Sequence, residues 1–126
     1  MLQKAAEHNL EFITEVSKII PDKSKYWTVV FRDYYETMRT LLDALVALDG
    51  VHSENHQCTN AHACFRHQDP ELSWDFLETV RKTRNEVNYR GLMMNYSDWK
   101  KYEPEFINHI RKLQGKITSE LRRAEN

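Results

Sequence analysis

Side chains capable of binding a phosphate group are concentrated in one stretch of the chain, from Arg81 to Gly91. The candidates in it are Arg81, Arg84, Asn85, Asn88, Tyr89 and Arg90. At 100° per residue, a helix through this stretch has an apolar face made of Leu72, Phe76, Val80 and Val87. Arg84 falls inside that apolar arc, while Arg81 and Asn88 fall at its edge. A permanently charged guanidinium is therefore expected to point toward a seam between helices.

A guanidinium facing the buried side of a helix needs a negatively charged partner. One interpretation is structural: Arg84 pairs with a glutamate or aspartate of a neighbouring helix, and Asn88 caps an irregular helix end before Gly91. The other interpretation is functional: the partner is a phosphate group of a bound molecule. Periodicity alone leaves both interpretations open.

A second group of chemically capable residues holds six potential zinc ligands within 16 residues, namely His52, His56, Cys58, His62, Cys64 and His67. Helical pairs four residues apart, such as His52 with His56 or Cys58 with His62, could aim two ligands at one ion. The spacing matches no standard zinc finger, so no metal or other cofactor is predicted. The weak candidates for zinc ligands are His52, His56, Cys58, His62 and Cys64.

The simpler interpretation of this segment is a short helix with histidines in solvent. Its inward-facing residues would be Ala61, Ala63, Cys64 and Phe65. In a reducing compartment, the two cysteines are expected to be free thiols or metal ligands and not a disulfide.

Four long segments position these residues, separated by breaks at Pro21, at Gly50, at Asp69-Pro70 and around 91–97. The first should be helical from about Leu2 to Ile20 and end at Pro21, which has no amide hydrogen. The second follows a hinge in which Asp22 or Ser24 can cap the helix. Its apolar residues recur at alternating steps of four and three, from Trp27 through Phe31, Tyr34, Met38, Leu41 and Leu45 to Leu48.

This second helix is expected to be the most buried, with a further face available to a second subunit, and to end at Gly50. The third long helix is predicted to start at Asp69-Pro70, a capping side chain followed by proline at the first helical position, and to run to about Gly91. The fourth is predicted from Ser97 or from Pro104 to about Leu121. The aromatic residues Trp27, Tyr34, Trp74, Trp99 and Tyr102 are expected to serve core packing or a subunit contact rather than base stacking.

The predicted fold class is therefore all-α: an up-down four-helix bundle with an additional short helix between the second and third long helices, forming one domain over residues 1–126. The net charge of -1 gives no overall attraction to nucleic acid, so any phosphate binding must be local. No signal peptide or membrane-spanning stretch is apparent, which favours a cytoplasmic protein. Motifs for phosphate loops, esterases, metalloproteases and di-iron bundles are missing from the sequence.

The stretch from Arg84 through Asn85 to Gly91 resembles the third-helix signature of HEPN domains, the higher eukaryotes and prokaryotes nucleotide-binding family. That signature is an arginine, a polar residue and, four to six residues later, a histidine. The second helix adds to the resemblance with its aromatic pair Tyr34-Tyr35, its leucine- and alanine-rich run to Gly50, and the turn 53–56 containing serine and histidine.

The resemblance implies a homodimer that binds RNA or a nucleotide, with metal-independent cleavage of RNA in a cleft between two subunits. Arg84 would hold the scissile phosphate, Asn85 would position it, and a histidine would activate the ribose 2′-hydroxyl. This chain departs from the signature, since Asn88 and Tyr89 stand where the histidine is expected and neither exchanges protons at neutral pH.

A histidine from another helix, such as His56 or His109, would then have to serve as the base. Arg84, Asn85 and Asn88 are accordingly the candidate catalytic residues, and Arg81, Arg84, Tyr89 and Arg90 the candidate binding residues. The resemblance also implies a small nucleotidyltransferase as partner in a toxin-antitoxin pair. The alternative is a non-catalytic helical protein-interaction module in which Arg84 is structural.

Overall fold

The computed structural model describes residues 2–52 and 55–125. Its five helices are α1 (Leu2–Ile19), α2 (Trp27–Leu48), α3 (His56–Arg66), α4 (Trp74–Arg90) and α5 (Tyr96–Glu125). No strand occurs within the described ranges. The predicted all-α class is confirmed, with the short helix α3 placed between the second and third long helices as expected.

Helix α2 forms the centre of the fold and packs against each of the other four helices. Its predicted seam is buried along its length, and the side chains of Phe31, Leu41 and Leu45 are completely inaccessible. Removing such side chains from water is the main source of stability, at roughly 25 cal/mol for each Å² of apolar surface. On α5, Trp99 and Phe106 complete an aromatic layer against this seam.

The beginning of α2 differs from the prediction that Asp22 or Ser24 caps it. Tyr26 is the N-cap residue, and no side chain caps the helix. Ser24 instead accepts a hydrogen bond at Oγ from the Tyr26 amide, at 3.0 Å. The turn after α1 is fixed by Trp27, whose indole N–H lies 3.2 Å from the carbonyl oxygens of Pro21 and Asp22. Burial of the Trp27 ring therefore determines where α2 begins.

The glycine predicted to end α2 does so. Gly50 has a φ of 77°, in the left-handed region that favours glycine. Its amide donates to the Ala47 carbonyl at 2.9 Å, and the Val51 amide donates to the Val46 carbonyl at 3.2 Å. This pair of bonds is the Schellman arrangement, which satisfies carbonyls left open at a helix end.

The predicted start of α4 at Asp69-Pro70 is wrong, because the helix begins at Trp74. Ser73 is its N-cap, with Oγ accepting the Phe76 amide at 3.1 Å. The Ser73 amide in turn donates to Nε2 of His109 on α5, at 3.0 Å. Ser73 is thus both the cap of α4 and the point at which the start of this helix is hydrogen-bonded to α5, a contact that local sequence does not reveal.

Of the two predicted starts of the last helix, the one at Ser97 is nearly right and the one at Pro104 is wrong. Helix α5 begins at Tyr96 and contains Pro104 in its interior. Asn95 Oδ1 accepts the Asp98 amide at 2.8 Å, and Asp98 Oδ2 accepts the Asn95 amide at 3.2 Å. This reciprocal capping box gives the helix its start eight residues before the proline. None of the described helices is both long enough and apolar enough to cross a membrane.

Candidate functional site

Arg84 lies on α4 and faces α2, as its position on the helical wheel predicted. Its Nη2 donates to Oε1 of Glu36 at 3.1 Å, and its Cζ lies 5.7 Å from the centre of the Tyr35 ring. The Arg84 side chain is 21% exposed and the Glu36 side chain 44% exposed. The Nε atom of Arg84 is buried and has no hydrogen-bond partner in the described part of the chain. The guanidinium is thus only partly satisfied by this protein.

Arg81, one helical turn before Arg84, forms an ion pair with two hydrogen bonds to a residue of its own helix. Its Nε and Nη2 donate to the two oxygens of Glu78, at 3.0 and 2.9 Å. Glu78 is buried and also accepts from Nδ2 of Asn60 on α3, at 2.9 Å. These hydrogen bonds, that of Arg81 first, hold the pKa of the Glu78 carboxyl below its ordinary value although burial opposes them. A ligand that binds Arg81, as predicted from the sequence, would have to compete with Glu78 for its guanidinium.

Tyr35 and His56 form the part of the site that connects α2 to α3. The Tyr35 hydroxyl lies 3.1 Å from Nδ1 of His56, and the two rings are stacked with centres 6.4 Å apart. Burial lowers the pKa of the His56 imidazole, and the nearby charges of Arg39 and Arg84 lower it further. Burial likewise raises the pKa of the Tyr35 hydroxyl. At neutral pH the imidazole is therefore mostly uncharged, and the tautomer that donates Nδ1–H to the Tyr35 hydroxyl would leave Nε2 able to accept a proton.

The positive charges of Arg84, Arg39 and Arg81 each act to lower the pKa of the Tyr35 hydroxyl, against the larger effect of burial. Arg39 on α2 pairs loosely with Asp43, at 3.8 Å, and its buried Nε has no hydrogen-bond partner within the described ranges. We call Tyr35, Arg39, His56, Arg81 and Arg84 the arginine cluster. Because it joins α2, α3 and α4, its geometry depends on how all three helices pack.

The other residues predicted for the site lie further along α4. Asn85 is half-buried, whereas Asn88, Tyr89 and Arg90 are exposed. Arg90 forms a long ion pair with Glu86, at 3.8 Å. No described hydrogen bond or ion pair joins Asn88, Tyr89 or Arg90 to the guanidinium of Arg84, although Asn88 follows Arg84 by one helical turn on the same face of α4.

His109, the other histidine considered as a base, has a structural role. It is 1% exposed, its Nε2 accepts the Ser73 amide at 3.0 Å, and its Nδ1 donates to the Glu105 carbonyl at 2.9 Å. Burial also lowers the pKa of this imidazole, so it remains neutral. Since both ring nitrogens are occupied, His109 is not available for proton transfer.

The expectation that the histidines of the metal-ligand segment lie in solvent is wrong for three of them: His56 is half-buried beside Tyr35, and the other two contact Asp49. Nε2 of His62 and Nε2 of His67 lie 2.9 and 2.6 Å from the same oxygen of Asp49. His67 is buried, while Phe65, expected to pack inward, is largely exposed. These contacts fasten the C-terminal half of α3 to the residue that follows α2.

The weak zinc candidates are not brought together. His52 precedes α3 and so forms no helical pair with His56, and burial raises the pKa of the Cys64 thiol to about 11. Across residues 2–52 and 55–125, no three His, Cys, Asp or Glu side chains are placed to hold a metal ion. Both cysteines are free thiols, and the serine of the predicted turn 53–56, Ser53, lies outside the described residues.

Sequence reasoning missed Tyr35, Glu36 and Arg39 as members of the site. The available signal was the presence of Glu36 and Arg39 among the apolar residues of α2. In comparisons with protein-family models, curated proteins and solved structures, nothing was found to match this chain. Function is therefore inferred from the side chains where α2, α3 and α4 meet.

Proposed function

We propose that the protein is a HEPN-like domain that binds phosphate groups of RNA or of a nucleotide at the arginine cluster. The observation that supports this most directly is the incomplete pairing of Arg84. Its guanidinium has one hydrogen bond to a half-exposed carboxylate and a buried Nε with no partner among the described residues. A guanidinium has five N–H donors, so the single described hydrogen bond leaves donors on its Nη atoms for a phosphate oxygen, whereas the buried Nε could be reached only if the side chain moved.

In this proposal, Glu36 occupies the position of the phosphate when no ligand is bound. Ion pairs with an exposed partner contribute only about 0–1 kcal/mol, so displacing Glu36 costs little. The ring of Tyr35 beneath the guanidinium keeps it oriented whether or not the pair is made. Arg39, whose Nε also lacks a partner within the described ranges, adds a second positive charge nearby.

The proposal extends to metal-independent cleavage of RNA, with His56 in place of the histidine expected on α4. Neutral His56 would accept the proton of a ribose 2′-hydroxyl at Nε2. The 2′-oxygen would attack phosphorus and the bond to the 5′-oxygen would break, leaving a 2′,3′-cyclic phosphate and a 5′-hydroxyl that takes up a proton. Arg84 would stabilise the charge that develops on the phosphoryl oxygens.

An exposed apolar surface supports a protein partner, either a second subunit or a small nucleotidyltransferase. The Met94 amide donates to Thr28 Oγ1 at 2.8 Å, which places the loop after α4 against the start of α2. Four large apolar side chains are exposed at this end of the molecule: Tyr26, Val29, Leu92 and Met93. A cytoplasmic location is part of the same proposal.

The second candidate function is a non-catalytic protein-interaction module. It is favoured by one observation: each arginine of the cluster already has a carboxylate within 4 Å, Glu36 for Arg84, Glu78 for Arg81 and Asp43 for Arg39. In this case the cluster only holds α2 and α4 together.

Incubation with labelled structured RNA in the presence of a chelator distinguishes the two functions. The wild-type protein is compared with Arg84→Ala, and retention and cleavage are recorded separately. Retention lost in the variant, with its circular dichroism unchanged, is expected from phosphate binding at Arg84. No retention by the wild-type protein at low salt would leave the interaction module as the function.

A further inference from the structure

A groove on another part of the molecule is not used by the proposed function. It runs between α3, α4 and α5, and has a volume of about 780 Å³. That volume is within the range of sites that enclose a side chain or a small organic molecule. Its principal lining residues are Phe65, Glu71, Trp74, Asp75, Glu105 and Lys112.

Two aromatic rings form a wall of this groove. Phe65 on α3 is 71% exposed, and its ring centre lies 6.3 Å from that of Trp74 on α4, with the planes tilted by 32°. A large aromatic side chain on a short helix gains nothing from remaining in water. The pair presents π faces that attract a positively charged group within about 6 Å.

The carboxylates that line the groove have no arginine or lysine partner among the described residues. Glu71 and Asp75 take part in no described ion pair, and Glu105 approaches only the ring of His109, at 3.6 Å. His109 is buried with both nitrogens bonded, so it does not neutralise Glu105. Lys112, the cation among the lining residues, donates to the backbone carbonyl of Glu71 at 2.7 Å. The groove therefore has an excess of negative charge beside its aromatic wall.

The charge of Asp75 alone has a structural explanation. It lies in the first turn of α4, where a carboxylate opposes the positive end of the helix dipole. Glu71 precedes the helix and Glu105 belongs to α5, so neither serves that purpose. An anionic ligand would be repelled here, and a bare metal ion would make no use of the aromatic rings.

We propose that this groove binds the guanidinium or ammonium group of an arginine or lysine side chain in a basic segment of another protein. The cation would lie on the faces of Phe65 and Trp74, within reach of Glu71, Asp75 or Glu105 at the rim. This inference does not depend on phosphate binding at Arg84, because the groove and the arginine cluster share no residue.

The probe for the test is a deca-arginine peptide with a fluorescent label, titrated into the full chain at low salt. Anisotropy reports binding, and quenching of Trp74 emission reports its position. Saturable binding is expected to weaken about tenfold in Phe65→Ala and in the double variant E71Q/E105Q. The matched control is Glu11→Gln, which removes an exposed carboxylate of α1 and should leave binding unchanged. Trp74→Phe should retain binding and lose the quenching.

Three outcomes would overturn the proposal. They are the absence of saturable binding, equal weakening by Glu11→Gln and the groove variants, or self-association of the protein alone that the groove variants abolish. The last result would mean that the occupant is a second copy of this chain. Arg84→Gln should bind the peptide normally, so a failure here is distinguishable from a failure of RNA binding at the arginine cluster.

Discussion

Tyr35 on α2 and His56 on α3 are joined by a hydrogen bond of 3.1 Å between the hydroxyl and Nδ1. The guanidinium of Arg84 lies over the same tyrosine ring, with Cζ 5.7 Å from its centre. One ring thus supports both a cation able to bind phosphate and a neutral imidazole able to accept a proton. The two groups come from consecutive helices, α4 and α3, and both contact Tyr35 on α2.

The first prediction concerns His56 as the base in RNA cleavage. In His56→Gln, cleavage should fall by about 100-fold or more, while retention of RNA changes less than about twofold. His8→Gln, which alters an exposed histidine of α1, is the control and should leave both unchanged. Tyr35→Phe should lower cleavage less than His56→Gln, because it removes the hydrogen bond to Nδ1 and keeps the ring.

The pH dependence of cleavage gives a separate check on the same residue. Burial and the neighbouring arginines lower the pKa of His56 from its ordinary value of 6.5. The proton-accepting form is therefore already present at pH 6.5 and is lost only in more acidic solution. The rate should therefore fall in acidic solution with a midpoint below pH 6.5, and it should reach its plateau by about pH 7.5. A rate that continues to rise well above pH 7 would contradict His56 as the base.

The second prediction concerns the buried carboxylate of Glu78. Glu78→Ala leaves Arg81 and Asn60 without their acceptor, and should reduce the free energy of unfolding by about 2–3 kcal/mol. Glu86→Ala, which removes an exposed and longer ion pair with Arg90, should change it by less than about 0.5 kcal/mol. Urea denaturation of both variants measures the difference. Similar losses of unfolding free energy in the two variants would show that Glu78 contributes no more to stability than a surface residue.

The third prediction concerns Asp49, which accepts hydrogen bonds from His62 and His67. Burial raises the pKa of Asp49, but these two bonds outweigh it and hold the pKa below the ordinary 3.8. A carboxyl whose pKa is lower in the folded protein than in the unfolded chain stabilises the folded state at pH values above its unfolded-state pKa. That stability is lost as the pH falls below about 4. Asp49→Asn should therefore cost about 1 kcal/mol at pH 7.

The deficit of Asp49→Asn should shrink as the pH is lowered from 5 toward 3, because the unfolded wild-type chain takes up a proton at Asp49 before the folded protein does. Thermal unfolding between pH 5 and pH 3 measures the stability deficit, with Asp22→Asn in the exposed turn after α1 as the control. A deficit that stays constant from pH 6 to pH 3 would mean that the charge of Asp49 contributes nothing.

The sequence was sufficient to predict the helices, but it was not sufficient to predict the contacts between them. The three-four spacing in α2 identified the buried seam, and the wheel of α4 correctly turned Arg84 toward another helix. The partner, Glu36, lies 48 positions away, and periodicity does not show which helices pack together or in what register. For the same reason, the joint contact of His62 and His67 with Asp49 could not be predicted.

Helix starts were predicted correctly only where the signal is local. The capping box of Asn95 and Asp98 places the start of α5 close to Ser97, as expected. Asp69-Pro70 also has the local signal of a helix start. Helix α4 nevertheless begins at Trp74, directly after Ser73, whose amide is hydrogen-bonded to the His109 side chain on α5. A tertiary hydrogen bond determined that boundary.

The proposed function requires that Glu36 occupy a phosphate-binding position on Arg84. The most direct test is the affinity of Glu36→Gln and Arg84→Gln for the same labelled RNA at one low salt concentration. Removing the competing charge should strengthen binding about threefold in Glu36→Gln. Removing the guanidinium should weaken it at least about tenfold in Arg84→Gln. If both folded variants bind RNA as the wild-type protein does, the ion pair is structural and the proposed function is wrong.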